Sequence, residues 1–177
     1  MFGRSKQFRL FLQEKWQELY KVAYAWSHDH ALSADLVQET ISRCLRSPDK
    51  FANEEALRIW LFKVLRNCWR DDLRRRKPHV DIQDSDLQAD HDLESQHHIR
   101  QVMSHVTDAF QKMSIEHREI LSLIVIEGFS YEAAAKILDI PTGTVMSRVS
   151  RARNNLREQL KDIDFPDSVS TTLWRVK

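Results

Sequence analysis

The chain has 177 residues, of which 42% are hydrophobic and 30% are charged, a composition typical of a folded globular protein. Three glycines and four prolines in the whole chain favour long helices over strands joined by tight turns. No apolar run approaches the roughly 20 residues that span a bilayer, and no uninterrupted apolar stretch follows the basic start of the chain. We therefore expect a cytoplasmic protein without membrane insertion.

The two cysteines, Cys44 and Cys68, have neither CxxC spacing nor clustered histidines nearby, which argues against a metal site. Both fall on predicted apolar helix faces, where a free thiol packs as a small hydrophobic group. A redox pair is the alternative. The sequence contains no phosphate-binding loop and no nucleophile–base arrangement, so we expect no enzymatic activity, no metal and no cofactor.

The first half of the chain predicts three amphipathic helices that form a small bundle over residues 8–78. From Phe8 to Trp26, apolar residues recur at steps of three and four. Ser33 is the predicted N-cap of a second helix. The predicted buried stripe of this second helix contains Val37, Ile41, Cys44 and Leu45. A third helix is predicted from about Ala56 to Lys77, where a proline ends it.

Residues 79–97 differ sharply in composition and are predicted to be a flexible acidic linker. From Val80 to Gln96 the sequence has six acidic residues and no lysine or arginine. A segment of low hydrophobicity and high net charge buries too little apolar surface to fold. The fold class that follows is all-α, with two small helical domains joined by this linker.

The second domain is predicted over residues 98–161 and contains a helix-turn-helix unit. A strongly apolar helix is expected from Glu116 to Glu127, with Gly128 as its stop. A short helix from Ser130 to Leu138 is followed by a tight turn and a last helix from Thr142 to about Leu160. The predicted buried stripe of this last helix contains Val145, Val149, Ala152 and Leu156. The tail, residues 162–177, has no clear pattern.

The formal net charge of +1 conceals a segregation of charge along the chain. The third helix is rich in basic residues: Lys63, Arg66, Arg70, Arg74, Arg75, Arg76 and Lys77. The last helix carries Arg148, Arg151, Arg153 and Arg157. A solvated surface is the ordinary explanation of one such run. Two basic helices in two domains favour phosphate neutralisation on DNA, and a helix-turn-helix with outward arginines and hydroxyl groups suits the major groove.

Three stretches resemble motifs of bacterial sigma factors, in the extracytoplasmic-function branch (group 4) that retains only regions 2 and 4. The sequence from Ile140 to Arg153, IPTGTVMSRVSRAR, resembles the GTVxSRxxRAR signature of region 4. Residues Asp35 to Thr40 read DLVQET, which is similar to a segment of region 2. The run from Trp60 to Arg75 is similar to the WLxxIARNxxxDxLRR sequence of the same region.

The resemblance implies that the chain binds core RNA polymerase and promoter DNA, and that an anti-sigma factor regulates it. Polymerase binding is expected through Asp35, Gln38 and Glu39. Recognition of the −10 element is expected through Lys63, Arg66, Asn67, Arg70, Asp71, Arg74 and Arg75, with a flipped base held near the preceding loop, residues 47–55. Recognition of the −35 element is expected through Thr144, Met146, Ser147, Arg148, Ser150 and Arg151. The linker is expected to thread the channels of the polymerase.

The sequence also departs from the family pattern and leaves two other readings open. Ala133 and Ala134 stand where the family usually has Glu and Ile, and Met146 stands where it often has a cation, so the −35 preference of relatives does not carry over. One alternative is a free-standing helix-turn-helix regulator that binds an operator as a dimer. The other is a sigma mimic that binds only an anti-sigma factor. We expect Trp60 to pack in the core rather than to stack on a base.

Overall fold

The computed structural model describes residues 6–46, 51–76, 94–161 and 163 of the chain. The secondary structure of these ranges is entirely helical, which confirms the all-α prediction. The elements are α1 (Lys6–Glu14), α2 (Trp16–Ser27), α3 (His30–Arg46), α4 (Glu54–Arg75), α5 (Glu94–Gln111), α6 (Ile115–Leu121), a π-helical segment (Ser122–Ile126), α7 (Tyr131–Leu138) and α8 (Thr142–Gln159). Among these, no helix is long and apolar enough to cross a membrane. Most of the predicted linker and of the tail lies outside the described residues.

The start of α3 differs from the prediction that Ser33 caps it. The helix begins at His30, and the Oδ1 atom of Asp29 accepts a hydrogen bond from the backbone N–H of Leu32 at 2.9 Å. This contact satisfies one of the unpaired N–H groups of the first turn. Ser33 is instead buried, and its hydroxyl donates to the backbone carbonyl of Asp29 and contacts the Ser27 hydroxyl.

The buried stripe of α3 is displaced from the predicted one, because it includes Leu36 and Thr40. Val37 and Cys44 are buried and Ile41 is partly buried, but Leu45 is 39% exposed and its assignment to the core was wrong. Leu45 follows Cys44 directly, and a step of one residue turns a side chain by about 100° away from the stripe. Burial raises the pKa of the Cys44 thiol to about 12, so this thiol stays protonated at neutral pH and packs as an apolar group.

The second half of the chain follows the predicted helices with three differences. Helix α5 begins at Glu94, so residues 94–97, predicted to end the linker, are helical, and an acidic residue suits the start of a helix. The predicted helix from Glu116 to Glu127 consists of α6 and the π-helical segment. Arg153, counted above among the basic residues of the last helix, is only 9% exposed because it lies beside the buried stripe.

The two halves pack on each other and share one core. Helix α4 lies against α7, and α2 lies against α6 and the π-helical segment. The rings of Phe62 and Phe129 meet edge-on, with their centroids 5.0 Å apart. The indole Nε1 of Trp26 donates a hydrogen bond of 2.6 Å to the buried Ser122 hydroxyl. The structure is therefore a closed arrangement of the two predicted domains.

His28 lies at the edge of this shared core. It ends α2 in the left-handed backbone conformation, with φ of +55°. Its ring and that of Phe110 in α5 lie edge-on to each other, with the centroids 6.4 Å apart. Burial, with a smaller contribution from the Arg118 cation, lowers the pKa of His28 to about 4, so the ring is neutral in the closed arrangement.

Acidification is expected to weaken this arrangement through His28. The folded pKa of about 4 lies below the ordinary value of 6.5, so the unfolded chain binds more protons between these pH values. The free energy of unfolding should therefore fall as the pH is lowered from about 6.5 to about 4. His28→Asn keeps a residue that tolerates positive φ but removes the titrating ring. Urea unfolding at pH 7.5 and pH 5 should show a smaller loss in this variant, and an equal loss would contradict the assignment.

A second prediction tests the boundary of the core. Leu65→Ala removes a fully buried side chain and should lower the free energy of unfolding by about 2–5 kcal/mol. The same substitution at the exposed Leu45 is the matched control and should cost about 0.5 kcal/mol. Urea unfolding followed by circular dichroism measures both, and similar losses for the two variants would show that the core has been misassigned.

Candidate nucleic-acid and polymerase interface

One face of α3 presents the three residues expected to bind polymerase. Asp35, Gln38 and Glu39 are all exposed. Residues three and four positions apart lie side by side on a helix, so the three side chains form one polar patch. The Oε1 atom of Glu39 accepts a hydrogen bond of 2.7 Å from Nε of Arg43, and this bond lowers the pKa of Glu39. The patch is thus anionic at neutral pH.

Arg43 joins α3 to α4 and was not singled out by the sequence. Its Nη1 atom is 3.2 Å from Oδ2 of Asp71, a residue expected to contact −10 DNA. Asp71 also accepts from Arg74, and these two hydrogen bonds lower the pKa of its carboxyl. Asp71 therefore has two cationic partners within the chain and anchors the C-terminal part of α4.

The basic residues of α4 do not form one open surface in this structure. Among the α4 residues expected to contact the −10 element, Asn67, Arg74 and Arg75 are exposed. Lys63 is half-buried, and its Nζ lies 3.8 Å from Oδ1 of Asp139. The remaining two, Arg66 and Arg70, turn towards the second half of the chain.

Arg66 and Arg70 share one carboxylate from α6, that of Glu119. Arg70 binds it with two parallel hydrogen bonds, from Nε to Oε1 and from Nη2 to Oε2, each 2.7 Å long. Nε of Arg66 donates to Oε2 at 3.4 Å. The Glu119 side chain is only 2% exposed. A buried carboxylate needs such partners because removal from water otherwise costs several kcal/mol.

Arg58 makes a second ion pair between the halves. Its Nη2 atom donates to Oε2 of Glu127 at 2.9 Å, and its Nε donates to Oε2 of Glu18 at 3.1 Å. The guanidinium also lies 4.0 Å from the ring centroid of Phe129. Sequence reasoning missed Arg58, Glu119 and Glu127, because no local pattern links residues separated by 49 to 69 positions.

The last helix, α8, presents the residues expected to read the −35 element. Its predicted buried stripe is confirmed, since Val145, Val149, Ala152 and Leu156 are all buried. Met146 is 55% exposed, and Ser147, Ser150 and Arg151 are also exposed, whereas Thr144 and Arg148 are half-buried. Nε of Arg151 donates to the backbone carbonyl of Ser147 at 3.3 Å. The outer face of α8 therefore combines cationic and hydroxyl groups.

The turn before α8 places this helix at a fixed angle to α7. Ser130 caps α7 by accepting the N–H of Ala133 at 3.1 Å, and Asp139 ends it with φ of +54°. Ala133 and Ala134, the positions that depart from the family pattern, are buried.

Trp60 of α4 is half-buried, and its ring is tilted against Phe51 with the centroids 4.9 Å apart.

An apolar groove runs between the two halves of the chain. It has a volume of about 540 Å³ and is bounded by α2, α5, the π-helical segment and α8. Its lining includes Tyr20, Tyr24, Met103, Phe110 and Ile126. Within the described ranges, no group of three or more His, Cys, Asp or Glu side chains is arranged to hold a metal ion.

Comparisons with known proteins match both halves of the chain. Residues 14–79 match the family model of sigma-70 region 2, and residues 105–156 match that of sigma-70 region 4. The chain is 40% identical over 126 residues to the ECF RNA polymerase sigma factor EcfG of Rhodopseudomonas palustris. The alignment covers 69% of this chain and 67% of the relative. The chain is 30% identical over 144 residues to the ECF RNA polymerase sigma-E factor of Haemophilus influenzae. That alignment covers 73% of this chain and 75% of the relative.

A solved structure has the same fold. The sigma factor RpoE from Bartonella quintana, crystallised with the anti-sigma factor NepR, superposes with a TM-score of 0.70 and 32% identity. The match covers 90% of this chain and 100% of that chain. Together with the two family models, these relatives show that the chain belongs to the ECF branch of the sigma-70 family of RNA polymerase sigma factors.

Proposed function

We propose that this protein associates with core RNA polymerase in the cytoplasm and directs it to promoters by recognising −10 and −35 elements. Residues 8–78 then act as region 2 and residues 98–161 as region 4. The observation that carries the proposal is that one chain exposes two surfaces of suitable chemistry. These are the anionic patch of α3 and the cationic outer face of α8. A free-standing regulator would use α8 but would leave the α3 patch without a role.

The α3 patch fits a basic partner surface on the polymerase. Asp35 and Glu39 supply negative charge, and Gln38 supplies an amide that can donate and accept hydrogen bonds. Leu36, Val37 and Thr40 on the opposite face are buried, so the helix is held rigidly by the core. A rigid, exposed patch can bind without first reorganising, which keeps the entropic cost of association low.

The outer face of α8 fits the major groove of DNA. Arginine can bind guanine with two hydrogen bonds, and serine or threonine hydroxyls can bind several bases. Met146 is an exposed apolar residue on this face and is suited to an apolar base edge such as the thymine methyl. The exposed Asn67, Arg74 and Arg75 of α4 are the corresponding candidates for the −10 element.

An anti-sigma factor is the further partner that we propose. The Bartonella relative was crystallised with one, and that structure aligns over the whole length of its sigma chain. The apolar groove between the halves would accept the apolar face of a helix from such a partner. The relatives named above are sigma factors, so we assign the chain a role in transcription initiation and no catalytic role.

The polymerase contact is tested with the double variant Gln38→Ala/Glu39→Lys. Loss of an amide and reversal of a charge at an interface hot spot should weaken binding to core polymerase by more than about 1.5 kcal/mol. Glu14→Lys reverses an exposed acid of the same domain outside α3 and serves as the control. Fluorescence anisotropy with labelled protein measures both affinities. A folded double variant that binds as tightly as the control would rule out α3 as the contact.

The −35 contact is tested with Arg148→Ala and Arg151→Ala in the full chain. An arginine that reads a base edge should contribute about 1–3 kcal/mol, and its loss should relax specificity at one base pair. An arginine that binds phosphate weakens binding to all sequences equally. Arg9→Ala, which removes an exposed arginine from α1 in the other domain, is the control. Unchanged affinity of both variants for matched and mutated −35 duplexes would mean that the recognition face lies elsewhere.

A further inference from the structure

The apolar groove described above has the size and the lining of a small-molecule site. Its volume of about 540 Å³ lies within the range of about 300–1,000 Å³ that is usual for ligand pockets. The rings of Tyr20, Tyr24 and Phe110 line it, and apolar side chains predominate in the rest of the lining. Met103 and Ile126, which also line it, are 47% and 45% exposed. The groove is therefore open to solvent and would bury the apolar part of a ligand.

The aromatic wall of the groove is held in place by its own contacts. Trp16 and Tyr20 stack with their ring centroids 5.0 Å apart, and Tyr24 stacks on His30 at 4.5 Å. The Tyr20 hydroxyl is 2.7 Å from Nδ1 of His30, within hydrogen-bond distance. Because these rings are ordered before a ligand arrives, binding costs little additional side-chain entropy.

His28 contributes polar atoms to the groove that have no partner. Both of its ring nitrogens are buried, and neither has a hydrogen-bond partner among the residues that the structure describes. The ring lies edge-on to Tyr24 and Phe110, with centroid distances of 6.0 and 6.4 Å. Buried polar atoms in native proteins are nearly always hydrogen-bonded, and a neutral imidazole offers one N–H donor and one acceptor. A ligand with a polar head would satisfy one of them.

The electrostatic environment of His28 favours a negative head. The Arg118 cation acts on His28, and burial lowers the pKa of Arg118. Nη1 of Arg118 donates to the backbone carbonyl of Trp26 at 2.7 Å, but its buried Nε has no hydrogen-bond partner within the described ranges. The neighbouring carboxylate of Glu119 is already shared by two arginines of α4. An anion beside His28 would therefore stabilise a buried cation.

The lining of the groove has the same excess of positive charge. Lys21 and Arg153 line it, and its described lining contains no aspartate or glutamate. Glu127, the acid on which the Lys21 cation acts, accepts a hydrogen bond of 2.9 Å from Arg58. The groove thus combines a large apolar surface with cations, which is the complement of an apolar molecule that carries one negative charge.

We propose that the groove binds an apolar monocarboxylic acid, such as a fatty acid, with its hydrocarbon part along Tyr24 and Phe110 and its carboxylate beside His28 in the field of Arg118. The carboxylate accepts a hydrogen bond from the imidazole N–H and compensates the guanidinium. The acid would occupy the groove that we assign to a helix of an anti-sigma factor, so the two would exclude each other. That consequence alone rests on the proposed function.

The methionines of the chain report on binding at this site. Met103 lines the groove, whereas Met146, which is 55% exposed on the outer face of α8, is the matched control. Titration of the full chain, labelled with ¹³C at the methionine methyl groups, with decanoate should shift the NMR signal of Met103 to saturation and leave that of Met146 in place. Equal movement of both signals would indicate non-specific contact, and a Met103 signal that does not move would show that the groove does not bind the acid. Either result overturns the proposal.

The need for a negative head is tested with decan-1-ol, which has the same hydrocarbon chain without the charge. Hydrogen bonds to charged groups are stronger than those between neutral groups, so decanoate should bind at least about tenfold more tightly. Equal affinities of the acid and the alcohol would mean that the groove is only an apolar surface, and the acid site would be disproved.

Variants locate the charge that selects the acid. Arg118→Gln should weaken decanoate binding about tenfold and leave decan-1-ol binding unchanged, a difference that a general loss of packing does not produce. Ile126→Glu places a negative charge at an exposed position of the groove and should weaken binding of the acid more than binding of the alcohol. Ile126→Gln has nearly the same shape as Ile126→Glu without the charge and should weaken both alike.

The buried Met113 serves as the control for folding. If Arg118→Gln loses the native Met113 signal, the two variants at position 126 decide the question. Decanoate that binds Ile126→Glu as tightly as Ile126→Gln would show that charge does not select the ligand, and the proposal would be wrong.

These measurements use the free chain, without polymerase, DNA or an anti-sigma factor. Absence of decanoate binding therefore overturns the acid site and leaves the proposed function untouched. Conversely, a chain that binds decanoate at Met103 but does not associate with core polymerase would retain the acid site and lose the proposed function.

Discussion

The closed arrangement of this chain depends on the neutralisation of one buried carboxylate, that of Glu119. A carboxylate removed from water is tolerated only where cations or hydrogen-bond donors replace its hydration. Arg66 and Arg70 of α4 supply these donors, so α4 must lie across the second half of the chain, where it packs against α7. The position of the longest basic helix is thereby tied to a single acidic side chain.

This constraint places two demands on the same arginines. In the closed chain they stabilise the interface between the domains, and in a promoter complex they would neutralise phosphate. The near-zero net charge of the chain fits this double use, because acids of one half can satisfy bases of the other until nucleic acid replaces them. The residues that stay exposed, such as Arg74 and Arg151, have no partner on the opposite half among their described contacts.

Local features of the fold could be predicted from the sequence, whereas contacts between distant segments could not. The apolar periodicity of α8 identified its buried stripe, and the motifs from Asp35 and from Ile140 identified both regions. The start of α3 was misplaced because Asp29 and Ser33 are both good capping residues and only the backbone decides between them. The pairing of Arg70 with Glu119 spans 49 positions. Periodicity predicts which side of a helix faces inward, but it does not predict against which other helix that side packs.

The π-helical segment has a consequence for how the two interface carboxylates are aligned. In a regular α-helix, residues eight positions apart differ by about 80° around the axis, because each residue turns the chain by about 100°. A π turn takes up one additional residue. Glu119 and Glu127 are therefore oriented like residues seven apart, within about 20° of each other. Both acids can face α4 along one line, whereas a regular α-helix over the same residues would rotate Glu127 by about 80° away from the direction of Glu119.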